Sequence, residues 1–242
     1  MLAYHNDPQL KQQILEQLQR HYDADEIVKG QYWENGKGCA VGCTLHTDQH
    51  NEYETRFGIP VRLAHLEDVI FEGLPSADAK SWPIRFMSSI NVGADLSAIW
   101  REFVVWLLID PADGVIQYTT PGTEVYEVIM QVATLYQQEH TQQQMLDAAY
   151  AAINAAVATT DYTAVFSAYT AANAAHAAAY TDRAAALAAH AAYAAAYVAS
   201  ACVVGFYAYT ASVVGFYAAY TKMSNKLIEL LQKRMPNVSL PQ

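Results

Sequence analysis

Four side chains that can bind metal ions, or act as nucleophile and base, fall within twelve residues. They are Cys39, Cys43, His46 and His50, at spacings of four, three and four. On one helix, with a rise of ~1.5 Å per residue, these positions form a stripe about 16 Å long. Because zinc ligands lie only ~2.0–2.3 Å from the ion, the four side chains cannot share one ion. The sequence therefore predicts no metal site and leaves His46 and His50 as the pair that could share an ion with ligands from elsewhere.

The two cysteines support two competing hypotheses. If a helix begins at Cys39, its sulfur lies at a positive helix end beside Lys37, which lowers a thiol pKa and favours the nucleophilic thiolate. Either cysteine would then act with one of the two histidines as general base. Alternatively, both cysteines are small buried core residues, and Gly38 and Gly42 add to a thin helix face for close packing. We favour packing and keep cysteine-dependent catalysis as the alternative.

The residues just before the first cysteine predict a ligand-binding segment. Gly36 and Gly38 can expose backbone N–H groups at a helix start, and Lys37 adds a positive charge, which suits an anionic group. Tyr32 and Trp33 can stack on a base or ring, although such side chains are more often part of a core. The segment lacks the Gly-Lys-Ser/Thr sequence of a P-loop. We predict these five residues as ligand-binding candidates, and we predict no cofactor.

The N-terminal half shows helical periodicity interrupted by turn residues. Asp7 and Pro8 offer a cap and a first-turn proline, and leucine and isoleucine then recur at a spacing of four. Two glycines and an asparagine within residues 34–38 favour backbone angles that helix interiors avoid, which predicts a turn. Around this turn the pattern predicts three helices, over Pro8–Tyr22, Asp23–Trp33 and Cys39–Arg56.

Further helices are predicted along the rest of this half. Pro60 opens one that ends at Gly73. Its inner face is predicted to carry Leu63, Leu66 and Ile70, and Glu67, Asp68 and Glu72 are expected on a solvated face. The remaining segments are predicted as a short helix opened at Trp82-Pro83, an apolar helix over Leu96–Ile109 capped by Asp95, and a short extended piece over Gly114–Tyr118.

The composition changes abruptly after Met145, where Ala becomes dominant together with Tyr, Thr and a few His. Alanine has the highest helix propensity, so this region is predicted as helical. Short polar residues at Thr159–Asp161 and at Thr181-Asp182 predict breaks between helices. The segment Val203–Ala208 nearly repeats as Val213–Ala218 after ten residues, close to three helical turns. The tail is predicted as an antiparallel hairpin or bundle, with one long helix as the alternative.

These elements predict an all-α fold, with an acidic multi-helix domain over residues 1–120 and an Ala- and Tyr-rich helical hairpin or bundle over residues 121–242. No segment alternates at period two for long enough to build a sheet. Two aromatic pairs at a spacing of four, Tyr193 with Tyr197 and Phe216 with Tyr220, are expected to pack between helices. Leu227–Leu231 are expected to dock as an amphipathic surface. Charge-poor helices expose faces that one hairpin cannot cover, so we expect a homo-oligomer formed through the tail.

Charge and cysteine usage limit the partners and the compartment. Residues 1–147 hold 9 Lys/Arg and 21 Asp/Glu, a net charge of −12, whereas residues 148–242 hold 5 and 3. An acidic surface without a Lys/Arg cluster repels phosphate backbones, so no nucleic-acid partner is expected. The 38 uncharged residues between Arg183 and Lys222 are mostly Ala, Tyr, Thr and Ser, so we predict no membrane span. Three cysteines and an N-terminus without a signal pattern indicate a cytoplasmic protein.

A series of short motifs carries a resemblance to a known family. The motifs lie between about residues 4 and 110, and they are Lys29–Trp33, Gly38–Thr44, Tyr53-Glu54, Gly58–Pro60, Leu66–Leu74 and Gly93–Leu96. With its Ala-rich tail the chain resembles a family of uncharacterised proteins encoded by phages, prophages and bacteria. The tail of this chain is richer in Tyr and Thr, and poorer in charge, than the family pattern. The resemblance implies a genomic setting and no particular activity.

Three functional hypotheses follow. The leading one is a cytoplasmic binding protein of phage or prophage type that captures a small host molecule, such as a nucleotide signal, or a host protein, as a counter-defence factor. The absence of a full catalytic constellation favours it over an enzyme. The alternatives are a cysteine- and histidine-dependent enzyme that uses Cys39 or Cys43, and a structural protein whose tail forms oligomers.

Overall fold

A computed structural model describes residues 1–179, 191, 194–195 and 209–236. Of the described residues, 71% are helical, which confirms the predicted all-α fold class. It divides into two compact units. Unit 1 comprises residues 1–99 together with 223–242, and unit 2 comprises residues 100–222.

Unit 1 contains five helices and a small hairpin among its first 99 residues. The helices are α1 (Pro8–Asp23), α2 (Ala40–Leu45), α3 (Glu52–Phe57), α4 (Val61–Gly73) and α5 (Ser76–Ser89). The hairpin strands are β1 (Trp33–Glu34) and β2 (Lys37–Gly38), paired antiparallel with Trp33 opposite Gly38. The next helices along the chain are α6 (Ile99–Ile109), α7 (Glu124–Gln137), α8 (Gln142–Ala158), α9 (Tyr162–Ala179) and α10 (Tyr209–Gln232).

Helix α1 begins where the sequence predicts. The Asp7 carboxylate accepts a hydrogen bond from the Gln9 N–H at 2.8 Å, which satisfies one of the free donors of the first turn. Ile14 and Leu18 are buried on the inner face. The predicted spacing of four therefore marks the buried side of this helix.

The predicted helix over Asp23–Trp33 is absent, which corrects that part of the prediction. Helix α1 ends at Asp23, and the backbone of Asp25 has a φ of 56°, in the left-handed region that ends a helix. The chain then runs beside β2, because the N–H of Gly38 donates to the Glu26 carbonyl at 3.0 Å and the N–H of Val28 donates to the Gly38 carbonyl at 2.8 Å. Pairing with a later segment replaces the local helix.

The predicted turn at residues 34–38 is a two-residue hairpin. Asn35 and Gly36 both have positive φ, 51° and 83°, as the type I′ turn preferred by Asn-Gly requires. The helix predicted over Cys39–Arg56 is two short helices instead, α2 and α3. His46 ends α2 in the left-handed conformation, with its N–H bonded to the Gly42 carbonyl at 2.8 Å.

Helix α4 has the predicted inner face, since Leu63, Leu66 and Ile70 are buried. Pro83 lies inside α5 and does not open a helix, so the prediction of a helix start at Trp82-Pro83 is wrong. The segment Gly114–Tyr118 is also not extended, because Val115–Tyr118 form a 3-10 helix.

In unit 2, helices α7, α8 and α9 pack on one another. Thr141 and Gln144 form a reciprocal capping box at the start of α8. Helix α8 ends before Thr159 and α9 follows from Tyr162, as the polar break predicts. The buried faces of α8 and α9 consist mainly of alanine, which allows the two backbones to approach closely. The predicted break at Thr181-Asp182, Tyr193 with Tyr197, and the first copy of the near-repeat lie outside the described residues.

Helix α10 carries the predicted aromatic pair and docking surface. The Phe216 and Tyr220 rings lie 4.9 Å apart, and Leu227 and Leu231 are fully buried. Its residues from Met223 onward belong to unit 1, so the structural division differs from a boundary at residue 120. No helix within the described ranges is long and apolar enough to cross a membrane.

Candidate functional site

The segment between α1 and α2 is held by close backbone packing. A Cβ placed on Gly38 would lie 2.0 Å from the Tyr32 carbonyl oxygen, and one on Gly42 would lie 1.4 Å from it. That carbonyl accepts a hydrogen bond from the Cys39 N–H at 3.2 Å. The two glycines therefore form the thin face that the packing hypothesis for the cysteines expects.

Neither cysteine has the environment of a nucleophile. Cys39 and Cys43 are both buried and free. Burial raises the pKa of the Cys39 thiol strongly, and the nearby Asp68 carboxylate raises it further. Burial also raises the pKa of Cys43 to about 12, and its thiol donates to the Gly38 carbonyl at 3.3 Å. Backbone hydrogen bonds from Gly42 and Val41 at the helix start do lower the pKa of Cys39, but burial outweighs them, so the expected net lowering of this thiol pKa is wrong.

The predicted ligand-binding segment before Cys39 has a different geometry from the one expected for an anion site. Gly36, Lys37 and Gly38 lie in the hairpin and precede α2, which begins at Ala40. The Gly38 N–H donates to the Glu26 carbonyl and is not free to bind a ligand. Lys37 is exposed and lies close enough to Asp25 to help lower the pKa of that carboxyl, after the larger effect of Lys80.

His50 belongs to a cluster that we call the α4 cluster, made of His50, His65 and Asp68. The His50 Nε2 atom lies 3.3 Å from Asp68 Oδ2, and its Nδ1 lies 3.0 Å from the Asp48 carbonyl. The rings of His50 and His65 stack 4.0 Å apart. Burial, followed by the neighbouring His50, lowers the pKa of His65 to about 4, so His65 is neutral at pH 7. Asp68 Oδ1 is buried and accepts no hydrogen bond from the described part of the chain.

Tyr32 lies beside the α4 cluster and is 48% exposed. Its ring meets the His50 ring edge-on at a centroid distance of 5.6 Å. Burial of the phenol raises its pKa, and the neighbouring groups Asp68, Cys39, Glu72 and Asp48 raise it further in that order. The Tyr32 phenol thus lies in a field of negative charge from three carboxylates.

His46 belongs to a second cluster that joins α1 to the end of α2. The Nε2 atoms of His21 and His46 lie 2.9 Å apart, and His21 Nδ1 lies 2.7 Å from Glu26 Oε2. The His46 ring stacks on Trp33 at 4.2 Å. His46 and His50, the pair that the sequence left as able to share an ion, therefore have different partners. Sequence reasoning missed His21 and Glu26 because it placed residues 23–33 in a helix.

A third polar group lies in the core of unit 1. Glu67, predicted on a solvated face, is fully buried, and its Oε2 accepts a hydrogen bond from the Tyr53 hydroxyl at 2.5 Å. Its Oε1 atom is buried without a hydrogen-bond partner among the described residues. Burial raises the pKa of Glu67 well above its ordinary value, and Asp68 adds to that rise. This carboxyl group is therefore held in its protonated form to a higher pH than an exposed glutamate.

These clusters define the chemistry that the fold brings together. Within the described residues, no group of three or more His, Cys, Asp or Glu side chains has a geometry that could hold a metal ion. The protein is all-α, and its histidine-containing polar clusters lie in unit 1. Comparisons of the chain with protein-family models, with curated proteins and with solved structures give no match.

Proposed function

We propose that the protein is a binding protein, and that its ligand carries a positively charged amine or guanidinium group that contacts Tyr32. The observation that carries this proposal is the surrounding of Tyr32, an exposed aromatic ring that packs edge-on against the Asp68-bonded His50 and lies within electrostatic range of the Asp68, Glu72 and Asp48 carboxylates. Aromatic rings attract cations over their faces, and carboxylates accept hydrogen bonds from N–H donors. The two features together match a cationic group.

The charge around Tyr32 changes the ligand class expected from the sequence. A nucleotide signal would bring phosphate charge close to three carboxylates, which disfavours its binding. The ammonium group of Lys29, which is close to the Glu72 carboxyl, is already bonded to the Glu72 and Leu74 carbonyl oxygens. A small host molecule remains our proposal for the ligand, with an amine in place of a phosphate as its recognised group.

Binding is favoured over thiol catalysis by the state of the cysteines. At neutral pH a thiol whose pKa is about 12 or higher contains very little thiolate, and the thiolate is the nucleophilic form. Both sulfurs are also buried, so a substrate carbon has no direct path to them. The proposed setting in a phage or prophage, with a counter-defence role, rests on the family resemblance alone.

The proposal is tested by calorimetric titration with agmatine and spermidine, using AMP as the anionic comparison. We expect Tyr32→Ala to weaken amine binding about fivefold, in line with ~1 kcal/mol for an exposed cation–aromatic contact. Tyr22→Ala is the matched control, since Tyr22 is 44% exposed in the same unit. Glu72→Gln, which keeps an oxygen to accept the Gly30 N–H, should also weaken amine binding, whereas Glu16→Gln should not.

Two results would contradict the proposal. One is AMP binding more tightly than either amine, which would restore the anionic ligand expected from Lys37 and its glycines. The other is equal amine affinity in wild type, Tyr32→Ala and Glu72→Gln. Raising the salt concentration should weaken the binding that we propose, because screening reduces the attraction between exposed charges.

A second candidate function, self-association through unit 2, is supported by exposed apolar side chains on α8 and α9. Tyr150 and Val157 lie seven residues apart on α8, and Tyr162 and Tyr169 lie seven apart on α9, so each pair shares a helix face. The Tyr150 ring lies 6.1 Å from the His176 ring of α9. His176 lies seven residues after Tyr169 and so on the same face of α9, which places the two rows next to each other and favours the proposed homo-oligomer.

A further inference from the structure

His21 and His46 direct their Nε2 atoms at each other from two separate elements. His21 lies in the last turn of α1, and His46 forms the end of α2. The two Nε2 atoms are 2.9 Å apart. Neutral imidazole binds metal ions through a ring nitrogen of this kind. The pair is therefore either a hydrogen-bonded pair or a pair of metal ligands.

The separation of the two nitrogens fits a particular coordination angle. Two imidazole nitrogens at ~2.05 Å from one ion are about 2.9 Å apart when they subtend a right angle, and about 3.3 Å apart at a tetrahedral angle. Right angles belong to octahedral or square-planar coordination, which Ni²⁺ and Cu²⁺ adopt with nitrogen ligands. The observed 2.9 Å matches the right angle.

The outer partners of the pair are those that metal-binding histidines commonly have. The second nitrogen of His21, Nδ1, lies 2.7 Å from the Glu26 carboxylate, an arrangement that fixes the ring and makes Nε2 a better donor to a metal. Glu26 is itself held by two backbone hydrogen bonds, from its N–H to the His21 carbonyl and to its carbonyl from the Gly38 N–H. His46 is fixed by its stacking on Trp33.

Both a negative and a positive side chain lie near the His21–His46 pair. Glu26 favours a bound cation, whereas the Arg56 guanidinium is close enough to disfavour positive charge on His46. Arg56 is engaged with the Leu45 carbonyl and with Glu52, which partly offsets its charge. His46 is exposed, so water molecules can reach the remaining coordination positions of an ion.

We propose that His21 and His46 form a two-histidine site for a divalent transition-metal ion of the Ni²⁺ and Cu²⁺ type, with water completing the coordination. The site is separate in its residues from the surface around Tyr32 and does not depend on the function proposed there. Two protein ligands make it an exchangeable site and not a structural one, because structural zinc sites use four.

Titration of untagged protein with Ni²⁺, followed by calorimetry, tests the site. One Ni²⁺ should bind per chain, and His21→Ala or His46→Ala should weaken that binding at least tenfold. Glu26→Gln should weaken it about tenfold, as loss of an outer partner commonly does. His140→Ala, an exposed histidine in unit 2, is the matched control and should leave the affinity unchanged.

A second measurement needs no substitution and is independent of folding defects in the variants. In ¹⁵N-labelled wild-type protein, substoichiometric Ni²⁺ should broaden the ring signals of His21 and His46 before those of His50 and His65. Mg²⁺ should have no effect, because it prefers oxygen ligands. Absence of Ni²⁺ binding, or broadening centred on other histidines, would overturn the proposal and leave a hydrogen-bonded pair only.

Discussion

Gly42 in α2 lies directly against the carbonyl oxygen of Tyr32, so closely that an added Cβ would be 1.4 Å from that oxygen. The same oxygen accepts the Cys39 N–H, and the Cys39 carbonyl accepts the Cys43 N–H at 2.9 Å. The glycine and cysteine residues of this segment thus form one packed unit with Tyr32, the residue that precedes the hairpin. Close packing, which requires these residue types, accounts for their clustering in the sequence.

Gly42→Ala should lower the free energy of unfolding by about 3 kcal/mol, the upper range for overpacking, because the clash is with backbone and not with a movable side chain. In an ordinary helix the same change would stabilise, since alanine has the higher helix propensity. Urea denaturation followed by circular dichroism measures the change.

Gly36→Ala is the matched comparison for that experiment. Gly36 has a φ of 83°, and an added Cβ would meet nothing within 4 Å, so its substitution costs only the unfavourable backbone conformation, about 1 kcal/mol. If Gly42→Ala proves no more destabilising than Gly36→Ala, the close approach to Tyr32 is not what fixes the segment.

The two buried thiols should react slowly in the folded protein. We expect iodoacetamide at pH 7 to modify Cys39 and Cys43 far more slowly than a free thiol, because burial raises the pKa of both. A Cys202→Ser background leaves these two cysteines as the only reporters, and mass spectrometry follows the reaction. The urea-unfolded protein is the control and should react rapidly. Fast modification of either cysteine in the folded state would return the cysteine-dependent enzyme to first place.

Glu67 should make stability fall as the pH rises. Its pKa is higher in the folded state than in the unfolded state, because the folded state buries the carboxyl group. The stabilisation from the protonated acid is therefore complete below the ordinary pKa of about 4.3 and is lost as the pH rises toward the folded-state value. Glu67→Gln removes this titration, so the variant should gain stability relative to wild type between pH 5 and pH 8.

Denaturation by urea at several pH values measures that difference, and Glu16→Gln on the exposed face of α1 serves as its control. The comparison with wild type isolates Glu67 from other titrating groups. Parallel pH profiles for wild type and Glu67→Gln would show that the carboxyl group has the same affinity for protons in both states.

The exposed surface of α8 and α9 should mediate self-association. We expect light scattering at micromolar concentration to show a multimer of the full chain, and Tyr150→Ser with Val157→Ser to shift it toward the monomer, since both side chains are exposed and apolar. Tyr22→Ser is the control in unit 1. A monomeric wild-type protein would contradict the prediction.

Deleting residues 146–242 would test self-association less clearly than these surface substitutions do. Leu227 and Leu231 in that range are fully buried and belong to unit 1 together with the first 99 residues. The truncation would therefore expose the core of unit 1 as well as removing the surface of unit 2. Surface substitutions separate the two effects.

Local signals in the sequence were sufficient for several elements. The capping residue Asp7, the spacing of Ile14 and Leu18, and the Asn35-Gly36 turn each depend on interactions among residues close in the chain. Alanine content similarly predicted helices α8 and α9 of unit 2, because helix propensity is a property of each residue in its own segment. The all-α fold class follows from such signals.

Long-range contacts decided the rest. The segment after Asp23 pairs with β2 through Glu26 and Gly38, a choice between local helix and distant partner that propensity alone does not settle. The meeting of His21 with His46, twenty-five residues apart, depends on that pairing. The burial of Glu67 likewise depends on which elements cover α4. Local sequence signals therefore determined the all-α class and several of the helices, whereas only the tertiary structure determined where the segment after Asp23 pairs and which polar side chains meet, because proximity across elements is set by packing.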